Sequence, residues 1–145
     1  MSTNQVLAVS ELLQENWGLS SPMAVANILW PTTRMDAIGI TQGKGPLQVA
    51  VYNASPSKQV EALSRECYLV TEKLVVDIIV VNASQSSADL ANAESTLEAL
   101  QAEVTRIIHL QDPNYVVTGE LIHSNATEVT RVMINVDAVY FSISS

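Results

Sequence analysis

Two histidines, one cysteine, three spaced glutamates and a glycine-rich run are the residues of this chain whose chemistry could go beyond packing. His109 and His123, with Asp112 between them, could form a metal or acid–base pair only if folding joined them. They show neither H-x-x-x-H nor any other clustered ligand spacing. His109 also falls at the end of a helical pattern, where an imidazole suits the negative end of the helix dipole. The run Gly39-Ile40-Thr41-Gln42-Gly43-Lys44-Gly45 approaches a phosphate loop. Such a loop needs G-x-x-x-x-G-K followed by Ser or Thr, so that backbone N–H groups wrap phosphate and a hydroxyl holds magnesium. Here the spacing is one residue short and Gly45 stands where the hydroxyl belongs. Cys67, the one cysteine, excludes an internal disulfide and sits in an apolar run where a thiol packs as a small hydrophobe. Glu94, Glu98 and Glu103 lie off the apolar stripe of their helical pattern and read as a solvated face. Asn53-Ala54-Ser55, Asn82-Ala83-Ser84 and Asn125-Ala126-Thr127 match glycosylation acceptors but read better as turns beside strands. No catalytic constellation emerges, and the expectation is a non-enzyme without metal or cofactor.

The elements that must position these residues centre on SSADLANAESTLEALQAEVTRIIHL, Ser86 to Leu110. Leu90, Ala93, Leu97, Leu100, Val104 and Ile107 recur at spacings of three and four, one stripe of a helix. Ser86 or Ser87 offers the N-cap oxygen, Asp89 and Glu94 sit toward the positive end, and Arg106 and His109 toward the negative end. Asp112-Pro113-Asn114 stops the pattern. Before it, Lys73–Val81 (KLVVDIIVV) reads as a strand apolar on both faces, hence central and covered by the helix on one side. After it come Tyr115–His123 and a C-terminal run in which Val132, Ile134, Val136, Ala138 and Tyr140 alternate with Arg131, Met133, Asn135, Asp137 and Val139. With Ser124–Thr127 as the turn, these two predict an antiparallel hairpin.

Upstream, Val6–Glu15 predicts a short amphipathic helix with Val6, Val9, Leu12 and Leu13 on one side, ended at Asn16-Trp17-Gly18. Met23–Trp30 reads as a buried strand or extended segment, with helix still open. Residues 31–46 hold three glycines, two prolines and three threonines without periodicity, a long flexible loop. Leu47–Asn53 is a strand, and β structure resumes at Cys67. Lys58–Glu66 fits either a helical turn or two, or a strand with a polar face. The fold class is α+β: a mostly antiparallel sheet of about four to five strands, packed by one long helix and a short N-terminal one.

At 145 residues the chain is expected to form a single domain, 1–145, large enough for a real core. A hydrophobic content of 48% against 15% charged excludes a disordered chain. No apolar run approaches the roughly 20 residues that span a bilayer, and the N-terminus lacks a basic segment ahead of an apolar core. The expectation is a protein made and folded in a cytoplasm. A formal charge of −8 disfavours nucleic-acid binding through phosphate neutralisation. Few charges with many apolar residues suggest surface buried against partner chains.

An N-terminal amphipathic helix, a long Gly/Pro loop, central strands, one long helix and a C-terminal β-hairpin form an ordered layout. It is similar to that of the tail terminator (tail completion, neck) proteins of tailed phages and related viruses. The resemblance covers Val6 to Ile143 and lies in layout. It is closest over LVVDIIVV, the helix Ala88–Leu110 and the strand pair ending VTRVMINVDAVYFSIS; Lys58–Glu66 departs from it. The resemblance implies a virion protein that forms a ring, commonly a hexamer, at the head-proximal end of the tail tube. There it would terminate the tube and join the head connector or stopper protein, while DNA passes through the bore without being specifically bound. In the 31–46 loop, Thr32, Arg34, Asp36, Gln42 and Lys44 are the candidate contacts with a neighbouring subunit or the tail tube. The alternative is a small-molecule binding module, or an enzyme subunit with its site between chains.

Overall fold

A computed structural model of the chain describes residues 5–20, 23–24, 29–31, 47–81, 86–110, 114–118, 122–125 and 129–143. The elements in order are α1 (Gln5–Asn16), β1 (Leu29–Pro31), β2 (Leu47–Ala62), β3 (Cys67–Val81), α2 (Ser87–His109), β4 (Tyr115–Val117), β5 (Ile122–Asn125) and β6 (Val129–Ile143). They make an α+β fold of one six-stranded sheet, in the order β1-β2-β3-β6-β4, with β5 also on β6. Only β1 pairs in parallel, with β2; every other pairing is antiparallel.

β3 occupies the middle because its residues tolerate burial on both faces. Leu74, Val76, Ile78 and Val80 point into the helix-side core, joined by Val49 and Val51 of β2 and by Val132, Ile134, Val136 and Ala138 of β6. The expected stripe of α2 closes this core: Ala93, Leu97, Leu100, Val104 and Ile107 are buried in it, together with Ile108. Leu90, one turn from the N-terminus, is half-buried. Ser86 is the cap, accepting the Asp89 N–H at 3.2 Å. α1 adds Val9 and Leu13, with Val6 and Leu12 at the margin.

The opposite face carries a smaller apolar cluster of Ala50, Tyr52, Val75 and Ile79, which draws no residue from either helix. Its polar members, Gln48 and Asp77, are fully buried.

One segment departs from the sequence expectation, and two that the sequence leaves open take one of their alternatives. Tyr115–His123 does not pair with β6 in one register: β4 and β5 take successive stretches of the same edge of β6, Val117 opposite Val136 and Ile122 opposite Met133, and residues 119–121 lie outside the described residues. Thr118 still donates its N–H to Asn135 O at 2.9 Å. Lys58–Ala62 resolves as strand, continuing β2 past an irregularity where residues 54–57 face only Lys73. Within Met23–Trp30, pairing begins at Leu29.

Candidate functional site

The core beneath the helices ends at Leu74 on β3 and Ala138 on β6, but both strands run on. With β2 they form a three-stranded arm: Gln59–Ala62, Cys67–Thr71 and Val139–Ile143, five residues or about 16 Å of extended chain beyond the core. Of its described side chains only Val70 is buried. Val60 is 62% exposed, Leu63 in the tip turn 51% and Phe141 66%, an apolar set on a part of the sheet that no helix covers. The tip closes when Leu63 and Ser64 donate their N–H groups to Cys67 O at 2.9 and 3.2 Å, while Ser64 Oγ accepts the Cys67 N–H. Cys67 is thus half-buried at the arm's end rather than within a core.

Among the described residues, both outer strands of the arm have an open side. β1 pairs with β2 only at Val49–Val51, and β4 with β6 only at Val136–Ala138. All of Gln59–Ala62 is exposed.

The strongest polar constellation lies on the helix-free face. Asp77 is 0% exposed, and Arg131 binds it through both ends of its guanidinium, Nε to Oδ1 at 2.8 Å and Nη2 to Oδ2. Tyr52 donates its hydroxyl to Asp77 Oδ2 at 3.0 Å. The Tyr52 phenol is pushed up to about 12, by burial first and by the Asp77 charge second. The Arg131 guanidinium is raised further by its bonds to Asp77. A carboxylate saturated by a cation and a phenol holds three strands together; it offers no free base. The alternation of β6 sets Arg131 on the face opposite Val132, Ile134, Val136 and Ala138, and Asp77 is a lone charge among valines and isoleucines, which was the available signal.

Glu103, expected on a solvated face, is instead buried to 8% exposure. It accepts the Gly18 N–H at 2.5 Å and is held by Arg106 at 2.8 and 2.9 Å, while Arg106 also reaches Asn16 O at 2.7 Å. The Arg106 bonds, with a smaller part from Gly18, outweigh burial and lower its carboxyl below the ordinary range. Near the base of the arm, Glu72 takes the Asn53 amide at 3.0 Å through Oε1, and its Oε2 is buried without a hydrogen-bond partner among the described residues.

A cleft of about 570 Å³ is lined by Gln5, Tyr115, Asn114, Ala138, Tyr140 and Phe141 among others. Within it Tyr115 donates to Gln5 Oε1 at 2.8 Å. Burial, and then the nearby Glu72 charge, raise the Tyr115 phenol.

Of the residues singled out by chemistry, His109 is exposed at the end of α2, and His123 stands in β5 opposite Val132. Asp112 and the glycine run 39–45 lie outside the described residues, as do the candidate contacts Thr32, Arg34, Asp36, Gln42 and Lys44. Among the described residues no group of three or more His, Cys, Asp or Glu could hold a metal ion, and no helix is long and apolar enough to cross a membrane. No protein-family model matches this chain, and no curated protein matches it.

Proposed function

We propose that this chain is a non-enzymatic structural protein of a virion. In this reading it forms a ring, most naturally a hexamer, at the head-proximal end of a viral tail. The observation that carries the reading is the arm: three strands running past their own core, with Val60, Leu63 and Phe141 exposed and, among the described residues, both outer sides open. A strand edge with unpaired peptide groups attracts another strand, and an isolated protein normally blunts it. Exposed large apolar side chains concentrated on one short arm favour a contact with another chain. The order of elements, similar to that of tail terminator proteins, supplies the context. The ring ends the tail tube and presents a docking face to the head connector or stopper protein. The net charge of −8 keeps passing DNA from adhering.

The test is genetic and visual. A virus lacking the protein should yield tails of abnormal length, or full heads without tails, and adding purified protein to the lysate should restore joined particles. Normal infectious particles from the deletion would refute the proposal.

A further inference from the structure

The ladder bonds show which peptide groups of the arm point away from it. Antiparallel pairs alternate between hydrogen-bonded and non-bonded positions. Leu63 donates to Cys67 O, so Glu61 and Gln59, two and four residues back, also bond inward to β3. The N–H and C=O groups of Val60 and Ala62 therefore face outward. On β6, Val139 donates outward to Asn114 O, so the peptide groups of Phe141 face outward as well, past the end of β4. β2 and β6 both run antiparallel to β3, which makes them parallel to each other on opposite sides of the arm.

We infer that the occupant of each open edge is a second copy of this chain: the β6 edge at Phe141 pairs in parallel with the β2 edge at Val60–Ala62 of the next subunit. The inference rests on the ring reading above and names the joint that closes it. Two edges of one short segment, on opposite sides and running the same way, are what a head-to-tail contact needs, since each copy then uses one patch of each kind. Repeated around an axis, the joint turns the arms into a closed barrel of three strands per copy, which leaves no edge open. Pairing of like edges across a two-fold axis is the competing geometry. It leaves the other edge of each copy open, so it does not close a ring.

Two sets of variants test this. Proline at Phe141 removes an outward N–H while sparing the ladder to β3, whereas Phe141→Ser keeps the N–H and removes the ring. By sedimentation, Phe141→Pro should weaken assembly at least about tenfold more than Phe141→Ser, with an unchanged circular dichroism spectrum. Equal effects of the two, or none from proline, would overturn the joint while leaving a ring intact. Independently, in a Cys67→Ser background, Glu61→Cys combined with Val139→Cys or Phe141→Cys should give on oxidation a ladder of disulfide-linked multimers. An intact oligomer with no ladder from either pair overturns the joint. So does a single variant that cross-links fully to dimers, because it reports like-edge pairing. A parent protein that stays monomeric at all concentrations removes the ring reading itself.

Discussion

Glu103 on α2 accepts the backbone N–H of Gly18, 85 residues earlier, and so pins the segment after α1 to the long helix. Removing the carboxylate leaves the Gly18 peptide donor without its acceptor and the Arg106 guanidinium with Asn16 O alone. Glu103→Ala is expected to cost about 1–3 kcal/mol in denaturant melts. The carboxyl is lowered by folding, so its contribution is complete above the ordinary glutamate value of 4.5 and is lost as pH falls through the depressed one. The stability gap between the parent and Glu103→Gln should accordingly narrow on acidification below 4.5. A gap constant with pH would mean the charge contributes nothing.

Asp77 has no contact with solvent, and Arg131 supplies its countercharge. Replacing Arg131 by Met strands a buried carboxylate, and an expected loss of about 3–5 kcal/mol follows. Replacing both, as Asp77→Leu with Arg131→Met, should recover most of that loss, because no charge is left to desolvate. A double-mutant cycle by urea denaturation reads the difference; additivity of the two changes would show the pair to be uncoupled.

Tyr52 ionises at about 12 in the folded chain against 10.0 ordinarily. The folded state thus holds its phenolic proton more tightly than the unfolded state. The corresponding stability is complete below 10.0 and is lost as pH rises toward about 12. Alkaline melts should show a steeper decline for the parent than for Tyr52→Phe across that window. Absorbance titration at the tyrosinate band should lose its latest-ionising component in the variant.

Leu100 is fully buried where α2 meets the sheet. Leu100→Ala should cost roughly 2–5 kcal/mol through lost transfer energy and the cavity left behind. A shift under about half a kcal/mol in the same melts would mean the site collapses without penalty.

The α2 stripe, its Ser86 cap, the central place of β3 and the alternation of β6 were all legible, because each obeys one period without interruption. Legibility failed where the period changes phase. Before the irregularity in β2, Val49 and Val51 face the helices; beyond it Val60, opposite Val70, is on that face, so odd positions give way to even ones. No single alternation spans Leu47–Ala62, and Lys58–Glu66 stayed ambiguous for that reason. β4 and β5 hid in the same way, since the two pair with β6 in different registers. Glu103 escaped because helical spacing gives its angle but not the arrival of Gly18 from another part of the chain. The arm's open edges are a property of strand lengths relative to the helices, which no local pattern encodes.

The long ladder between β3 and β6 has a consequence for the order of events during synthesis. β3 is complete well before Val129–Ile143 follows from the ribosome, so the central strand spends that interval as an unprotected edge rich in valine and isoleucine. Such a segment is a seed for intermolecular association. At that stage Asp77 has Tyr52 of β2 as a hydrogen-bond donor but not yet Arg131 as its countercharge, and a charge in such a strand is expected to oppose wrong pairing through its desolvation cost. Asp77→Val should then raise the yield of aggregate on rapid dilution from urea, by light scattering, even where Arg131→Met keeps the finished fold free of a stranded charge.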